Sequence, residues 1–171
     1  MGKRSDLPRI DKDFYPTPLA AVLPLLPHLT PGTRFVEPCA GDGRLVRHLE
    51  QHGHVCVDAF DLDPQHPSVD RDDALKVLAD EGDMVITNFP WARSVLHPLI
   101  EHWRMQMPTW TLLDANWMFT KQAGPYLKYA SHIVTVGRVK WIEGSKMTGK
   151  DDAAWFRFQE QPCETRFFGR E

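Results

Sequence analysis

The sequence predicts an α/β fold with a mostly parallel sheet, helices on both faces and an antiparallel hairpin at the C-terminal end. Through most of the chain, short apolar segments typical of buried strands alternate with amphipathic helical segments, which is the pattern of β-α-β units. Two further apolar segments close the chain with no helical period between them. In a sheet of this kind, ligands bind beyond the carboxyl ends of the strands.

Each element has its own local signal. Four apolar segments are predicted as parallel strands, at residues 33–37, 55–60, 84–87 and 110–113. Helices are expected at residues 18–28, 44–51 and 73–79, and in a longer segment capped by Ser94. Two internal prolines should shorten or distort the first of these helices. The closing hairpin is predicted from strands at residues 132–141 and 153–158.

Size and composition predict one globular unit. The 171 residues are enough for one domain with a proper core and too few for two, so residues 1–171 are expected to form a single domain. Residues 1–12 mix charges with Pro8 and are expected to be mobile. The 42% hydrophobic and 25% charged residues are typical of globular proteins. No apolar run approaches the ~20 residues of a membrane span, and no secretory signal is expected at the N-terminus.

Cysteine and histidine patterns exclude two other classes of site. Cys39, Cys56 and Cys163 are odd in number and far apart, which argues against a disulfide framework and favours a reducing cytoplasm. His48 and His52 stand four residues apart on one predicted helix, but no third ligand accompanies them. We therefore expect no metal site.

Charge is distributed unevenly along the chain. The net charge is −3, yet residues 121–150 carry six basic side chains against one acidic. A basic segment that faces a polyanion such as nucleic acid would explain this pattern, and so would an ordinary solvated surface.

The first functional cluster follows the first strand, from Glu37 to Gly43. Gly41 and Gly43 permit a tight turn that can approach a ligand closely. Asp61 lies 18 residues after Gly43, at the end of the second strand, where a carboxylate can accept hydrogen bonds from both hydroxyls of a ribose. No third glycine and no basic residue stand where a pyrophosphate would bind. A nucleoside without phosphates is therefore the better ligand.

These segments resemble the motifs of class I S-adenosylmethionine-dependent methyltransferases. Residues 35–43 are similar to the first motif, residues 60–64 to the acidic second motif and residues 72–75 to the third. Residues 13–18 are similar to a segment before the first strand of small bacteriophage DNA adenine-N6 methyltransferases. The resemblance extends over about residues 11–158, and it implies a Rossmann-like fold with S-adenosyl-L-methionine as cofactor.

The resemblance also implies which residues bind the cofactor. Asp61 would contact the ribose, Asp73 the adenine amino group and Thr17 the methionine carboxylate. The other cofactor-binding positions that it implies are Tyr15, Glu37, Cys39, Gly41, Gly43, Leu62, Ala74 and Asn88.

The segment after the third strand, Asn88-Phe89-Pro90-Trp91, resembles the catalytic motif of amino-methyltransferases, usually Asn-Pro-Pro followed by an aromatic residue. An exocyclic amino nitrogen is a poor nucleophile because its lone pair is delocalised into the base. The side-chain oxygen of Asn88 and the main-chain carbonyl of Phe89 would accept its two hydrogens and draw it toward tetrahedral geometry. Trp91 would stack on the base, a contact worth ~1–3 kcal/mol.

One position departs from the family pattern. Phe89 stands where the family usually has its first proline, so the loop is expected to be less rigid. The Phe89 carbonyl is retained, and Pro90 still favours an extended conformation at Phe89. In an alternative interpretation, Phe89 and Trp91 only fill a gap in the core beside the strand.

Together these features predict an enzyme that methylates N6 of adenine in DNA without a separate target-recognition domain. Specificity would then be weak or depend on a dimer or another chain, and a base in a duplex would have to be flipped out. The basic hairpin would lie beside the catalytic strand end, with Lys140, Lys146 and Lys150 as phosphate contacts. The alternatives are methylation of an RNA base or a protein glutamine, and a noncatalytic module that binds S-adenosylmethionine.

Overall fold

The computed structural model describes residues 15–142 and 149–170. An eight-stranded sheet runs through them in the order β3-β2-β1-β4-β5-β7-β6-β8. The strands are β1 (Arg34–Glu37), β2 (Val55–Asp61), β3 (Asp70–Arg71), β4 (Met84–Thr87), β5 (Thr109–Asp114), β6 (Ala130–Arg138), β7 (Asp152–Phe158) and β8 (Arg166–Phe168). The α-helices are α1 (Leu19–Val22), α2 (Arg44–Gln51), α3 (Arg93–Arg104) and α4 (Gly124–Leu127), and two 3-10 helices span Leu26–His28 and Ala115–Phe119.

The direction of the strands determines which chain segments meet. β1 pairs in parallel with β2 and with β4, and β4 pairs in parallel with β5. β7 is antiparallel to both β5 and β6, so β6 runs in the same direction as β1, β4 and β5. The predicted parallel sheet and antiparallel C-terminal hairpin are confirmed. β8, which the sequence analysis did not predict, pairs in parallel with β6.

A hydrophobic core lies on each face of the sheet. On one face, α3 buries Leu96, Leu99, Ile100 and Trp103 against β4 and β5. On the other face, α2 buries Leu45 and Leu49, and the chain around α1 packs beside it. None of the helices in the described ranges is long and apolar enough to cross a membrane.

Two helix predictions need correction. Residues 73–79 form only one turn, which the Asp73 carboxylate caps at the Leu75 N–H (3.0 Å). Beyond it, the Val77 carbonyl bonds to the His102 ring (2.8 Å) and the Ala79 N–H to the Gln106 side chain (2.9 Å), so these groups do not continue a helix. A single turn is too short to propagate as a helix. α3 begins one residue before Ser94, and its N-cap is Ala92, which has no side chain to cap it. The first predicted helix is split into α1 and a 3-10 helix, as expected from its prolines.

Candidate active site

The carboxyl ends of the parallel strands collect polar side chains at one edge of the sheet. Glu37 ends β1, Asp61 ends β2, Asn88 follows β4 and Asp114 ends β5. Since β1 lies between β2 and β4, the loops after these three strands are neighbours. This edge is where a ligand of an open α/β sheet is expected.

The loop after β1 is shaped by its glycines. Gly41 and Gly43 have positive φ angles of 54° and 70°, a left-handed conformation that other residues adopt only with strain. A Cβ at Gly43 would also come within 3.3 Å of the Arg47 guanidinium. Both glycines are buried, and the side chains of Val69 and Ser68 also lie within 4 Å of that Cβ position, so the turn is packed too closely for a side chain at Gly43.

Asp61 joins this loop to the loop after β2. Its Oδ2 accepts a hydrogen bond from the Gly41 N–H at 2.9 Å, and its Oδ1 accepts one from the Asp63 N–H at 2.8 Å. A carboxylate oxygen can accept a second hydrogen bond, so both oxygens retain capacity toward a diol. The carboxylate that the resemblance assigns to the ribose thus also holds the glycine turn in place.

Glu37 is a buried acid with an unsatisfied oxygen. The side chain is 2% exposed, and among the described residues its Oε2 has no hydrogen-bond partner. Burial, followed by the carboxylates of Asp42 and Asp61, raises the pKa of Glu37 well above its usual range, and the backbone N–H of Val46 opposes this only in part. A cationic group that reached this oxygen would offset the cost of burying the ionised carboxylate.

The remaining cofactor candidates lie around these loops. Leu62 is 65% exposed beside Asp61, whereas Ala74 is buried. The backbone N–H of Leu75, followed by Lys76, lowers the pKa of Asp73. Burial raises the pKa of Cys39 well above its usual range, which agrees with a packing role and argues against a nucleophile.

The Asn88 amide is held in one orientation by two residues from the segment before α1 and by one residue of its own loop. Its Nδ2 donates to Thr17 Oγ1 at 3.2 Å and to the Tyr15 carbonyl at 3.4 Å. Its Oδ1 accepts from the Trp91 indole N–H at 3.3 Å. Thr17 is buried, and the residues before α1 thereby reach the end of β4. The segment before the first strand is thus brought to the candidate catalytic loop.

Phe89, Pro90 and Trp91 occupy different environments. Phe89 is 1% exposed and packs in the core beneath α3, so its side chain does fill the core as the alternative interpretation expected. Its main-chain carbonyl accepts no hydrogen bond from another described residue. Trp91 is half-buried, and its indole N–H also donates to the Leu112 carbonyl at 3.1 Å. Pro90, also half-buried, lies between the two.

Trp141 is a site residue that the sequence analysis missed. Its ring lies edge-on to Trp91, with centroids 5.6 Å apart, and 6.2 Å from the ring of Tyr15. No local pattern marks this tryptophan, which is the last residue of the strand predicted at residues 132–141 and lies three residues beyond the end of β6. Trp141 lies near Asn88 because β6 and β4 run in the same direction, so the residues that follow both strands meet at one edge of the sheet.

The basic hairpin ends at the same edge. Lys140 and Lys150 are exposed where β6 ends and β7 begins, and the Trp91–Trp141 contact places this hairpin beside the Asn88 loop. Lys146 lies outside the described residues. Asp152, opposite Arg138 at the start of β7, offsets part of the positive charge.

The predicted histidine pair makes an internal contact. His52 Nδ1 is 2.7 Å from the His48 carbonyl oxygen. Within residues 15–142 and 149–170, no group of three His, Cys, Asp or Glu side chains could hold a metal ion.

Comparisons with known proteins identify the fold. No protein-family model matches the sequence, and no similar sequence was found among curated proteins. The solved structures that match include a candidate RNA methyltransferase from Pyrococcus horikoshii, with a TM-score of 0.58, 16% identity and 92% of each chain covered. A dimethyladenosine transferase from Plasmodium falciparum has a TM-score of 0.54 and 13% identity, over 85% of this chain and 62% of that one.

A type I restriction-modification methyltransferase subunit from Streptococcus thermophilus also matches, with a TM-score of 0.54 and 11% identity over 91% of this chain and 47% of that one. The chain thus spans less than two thirds of the length of the latter two proteins. At these identities the likeness shows the fold. The chain has the Rossmann-like fold of class I methyltransferases, as the sequence predicted.

Proposed function

We propose that this protein is an S-adenosyl-L-methionine-dependent methyltransferase that modifies N6 of adenine in nucleic acid, with DNA as the preferred substrate. The observation that carries the proposal is the fixed Asn88 amide at the end of β4. It lies on the strand next to the glycine turn of β1, so a bound nucleoside and an incoming amino group would meet between the two loops.

The residues at the end of β1 and β2 fit the cofactor. Asp61 retains acceptor capacity for the ribose hydroxyls, and its hydrogen bond to the Gly41 N–H places the left-handed Gly41–Gly43 turn beside it. The unsatisfied Oε2 of Glu37 would pair with the ammonium group of the methionine moiety, which removes the cost of leaving this oxygen buried without a donor. Tyr15, Thr17 and Asn88 would contact the methionine end.

The cofactor supplies an already activated methyl group, so the task left to the protein is positioning. The Asn88 Oδ1 would accept one hydrogen of the target amine, and the free Phe89 carbonyl would accept the other. The Thr17 and Trp91 hydrogen bonds prevent the amide from turning its nitrogen toward the amine. Because the Phe89 contribution comes from the main chain, the loss of the family proline does not remove it.

The aromatic residues restrict how a base can bind. Trp91 and Trp141 are already in edge contact at 5.6 Å, which leaves no space for a base between the two rings. The target base would therefore stack on a free face of Trp91 instead of entering a sandwich. The two hydrogen bonds of the indole N–H fix the plane on which it stacks.

Two findings support nucleic acid as substrate. The exposed Lys140 and Lys150 flank the site, and the matched structures include proteins named as an RNA methyltransferase, a dimethyladenosine transferase and a restriction-modification subunit. DNA is proposed from the resemblance to bacteriophage adenine methyltransferases. The name of the first of these proteins makes RNA the second candidate.

The test is methyl transfer from labelled S-adenosylmethionine to duplex DNA, single-stranded DNA, RNA and protein extract in parallel, with Asn88→Ala as the inactive control. Mass spectrometry of the hydrolysed products should find N6-methyladenine from DNA. Label in RNA adenine would favour the second candidate, and label in glutamine would contradict a nucleic-acid substrate. Cofactor binding with no transfer to any substrate would identify a noncatalytic module.

A further inference from the structure

Phe119 is exposed to an unusual degree for an aromatic residue. It is 79% exposed, more than any other large hydrophobic side chain among residues 15–142 and 149–170. It ends the 3-10 helix Ala115–Phe119, which follows β5 directly and therefore lies at the same edge of the sheet as Asn88. A ring exposed at this edge of the sheet has a face available to stack on a planar ligand.

The segment that carries Phe119 is rigid. Two residues earlier, Trp117 is 5% exposed, packs edge-on against Phe156 at 5.5 Å and donates its indole N–H to His97 Nε2 at 3.1 Å. One residue later, Thr120 donates both its N–H (3.0 Å) and its hydroxyl (2.8 Å) to the Trp117 carbonyl. A ring presented from a fixed backbone loses little entropy when a ligand covers it.

Two exposed cations lie near the segment that carries Phe119. Lys121 is exposed two residues after Phe119, and Arg93 is exposed two residues after Trp91. The Arg93 guanidinium donates to the side-chain oxygen of Gln122, so the start of α3 and the chain beyond Phe119 are in direct contact. Phe119 and the candidate catalytic loop thus belong to one continuous surface with cations along it.

We infer that Phe119 is a stacking platform for the unpaired base next to the target adenine, with Arg93 and Lys121 contacting the adjoining phosphates. The inference rests on the proposed function and extends it, because it assigns the substrate a single-stranded segment beside the target base. An exposed aromatic face with cations near it is the combination that binds single-stranded nucleic acid. A paired base could not reach an exposed ring without leaving its own stack.

The test is binding, measured without turnover. Fluorescence anisotropy would follow a short single-stranded oligodeoxynucleotide with one adenine, in the presence of S-adenosylhomocysteine. Phe119→Ala should weaken binding about 5- to 150-fold, the range for loss of one base–aromatic stack. Phe119→Trp should retain affinity, whereas Phe119→Leu, which is apolar but has no ring, should not. Phe167→Ala is the matched control, because Phe167 is 60% exposed on β8.

A scan with single abasic positions locates the contact. Removal of one base adjacent to the adenine should weaken wild-type binding and have no further effect on Phe119→Ala, because both changes remove the same stack. Wild-type binding with no loss in Phe119→Ala, or losses that add at every abasic position, would overturn this inference and leave the proposed function intact. Failure of the wild type to bind any oligonucleotide would instead overturn the nucleic-acid part of the proposed function, and this inference with it. The exposed ring makes no core contact, so thermal unfolding should be unchanged in every Phe119 variant.

Discussion

The two halves of the carboxyl edge are built by different means. On the β1–β2 side, the surface is formed by backbone groups and carboxylates. The Gly41 and Asp63 N–H groups donate to the Asp61 carboxylate, and Glu37 is buried beside them. On the β4–β6 side, a side-chain amide and aromatic rings define it, with Trp91 between Asn88 and Trp141. The first half suits a small polar ligand that is held tightly, and the second suits a planar ring that must be oriented.

Because the two halves are built from different chain segments, the proposed cofactor binding and the proposed methyl transfer can be tested by separate substitutions. The first half is made by two loops on neighbouring strands. The second half depends on contacts between residues more than 70 positions apart, such as the Asn88–Thr17 hydrogen bond. Substitutions in one half should therefore leave the function of the other measurable, and the following predictions use that separation.

The largest effect is expected at Asn88. Asn88→Ala should lower kcat by about 10²–10³-fold, the range found when one preorganised hydrogen-bonding group is removed from an active site. Cofactor affinity should stay within a few-fold, because the lost acceptor acts mainly in the transition state. Single-turnover kinetics and calorimetry on the same preparation give both values. Equal losses in transfer and in cofactor affinity would show that the two halves are not separable.

Asp61 tests the other half. Asp61→Ala should weaken S-adenosylmethionine binding by about 1.5–3 kcal/mol, the value of hydrogen bonds to a charged group. The turn at Gly41 loses its anchor as well, so some loss of stability is expected, and Asp61→Asn should be milder in both respects. Asp58→Ala, an exposed carboxylate on the same strand, is the control. Calorimetry showing equal affinity in Asp61→Ala and Asp58→Ala would remove the cofactor assignment.

Glu37 should make cofactor binding on the β1–β2 side depend on pH. Its pKa is raised by burial, and its ionised form is the one that pairs with an ammonium group, so cofactor binding should strengthen as pH rises and should release protons. Glu37→Gln should lose that proton release and about 1.5 kcal/mol of affinity. Calorimetry in buffers of different ionisation enthalpy measures the proton release, with the exposed Glu50→Gln as control. Proton release that persists in Glu37→Gln would mean that another group is responsible.

The raised pKa of Glu37 has the opposite effect on stability: the free energy of unfolding falls as pH rises, whereas cofactor binding strengthens. Because the folded pKa of Glu37 is raised, its contribution is fully present below the unfolded value of about 4.3 and is lost as pH rises toward the folded value. Without cofactor, Glu37→Gln should therefore gain stability relative to the wild type as pH increases above that value. Urea unfolding across a pH series measures this difference. A constant difference would contradict the raised pKa.

Local signals explain how much of the fold was predictable. Residues 84–87 and 44–51 were predicted with the bounds that β4 and α2 have, because an apolar run and an amphipathic period are both contained in the segment itself. The helix predicted at 73–79 is wrong because the Val77 carbonyl and the Ala79 N–H bond to His102 and Gln106, contacts that no local pattern contains. β8 is only three residues long, and it forms a strand by pairing with β6. No local sequence pattern contains that pairing.

Some residues of the candidate site were predictable from local sequence, and others were not. The Gly41, Gly43 and Asp61 cluster was predictable because a turn needs its residues in sequence, and the roles assigned to these residues stay predictions. Trp141 was not predictable, since its position beside Trp91 follows from the insertion of β7 between β5 and β6. The exposure of Phe119 depends likewise on the burial of Trp117 two residues before it.

The smallest expected effect concerns the basic hairpin, and it decides whether the second half of the edge faces a polyanion. Each phosphate that Lys140 or Lys150 neutralises releases counterions, so nucleic-acid affinity must fall as salt increases. The double substitution Lys140→Ala and Lys150→Ala should flatten the slope of log affinity against log salt by about one to two units, equally for all sequences. Lys128→Ala is the control, because this exposed lysine lies just before β6, at the opposite edge of the sheet.

The salt series should be run with duplex and single-stranded oligodeoxynucleotides, with S-adenosylmethionine binding measured beside it. Cofactor affinity should not change, because neither lysine belongs to the β1–β2 half. Identical slopes for wild type and double variant would mean that the hairpin contacts no phosphate, and the protein-substrate alternative would gain support. A slope change in Lys128→Ala of the same size would show that binding follows overall charge and does not depend on this edge of the sheet.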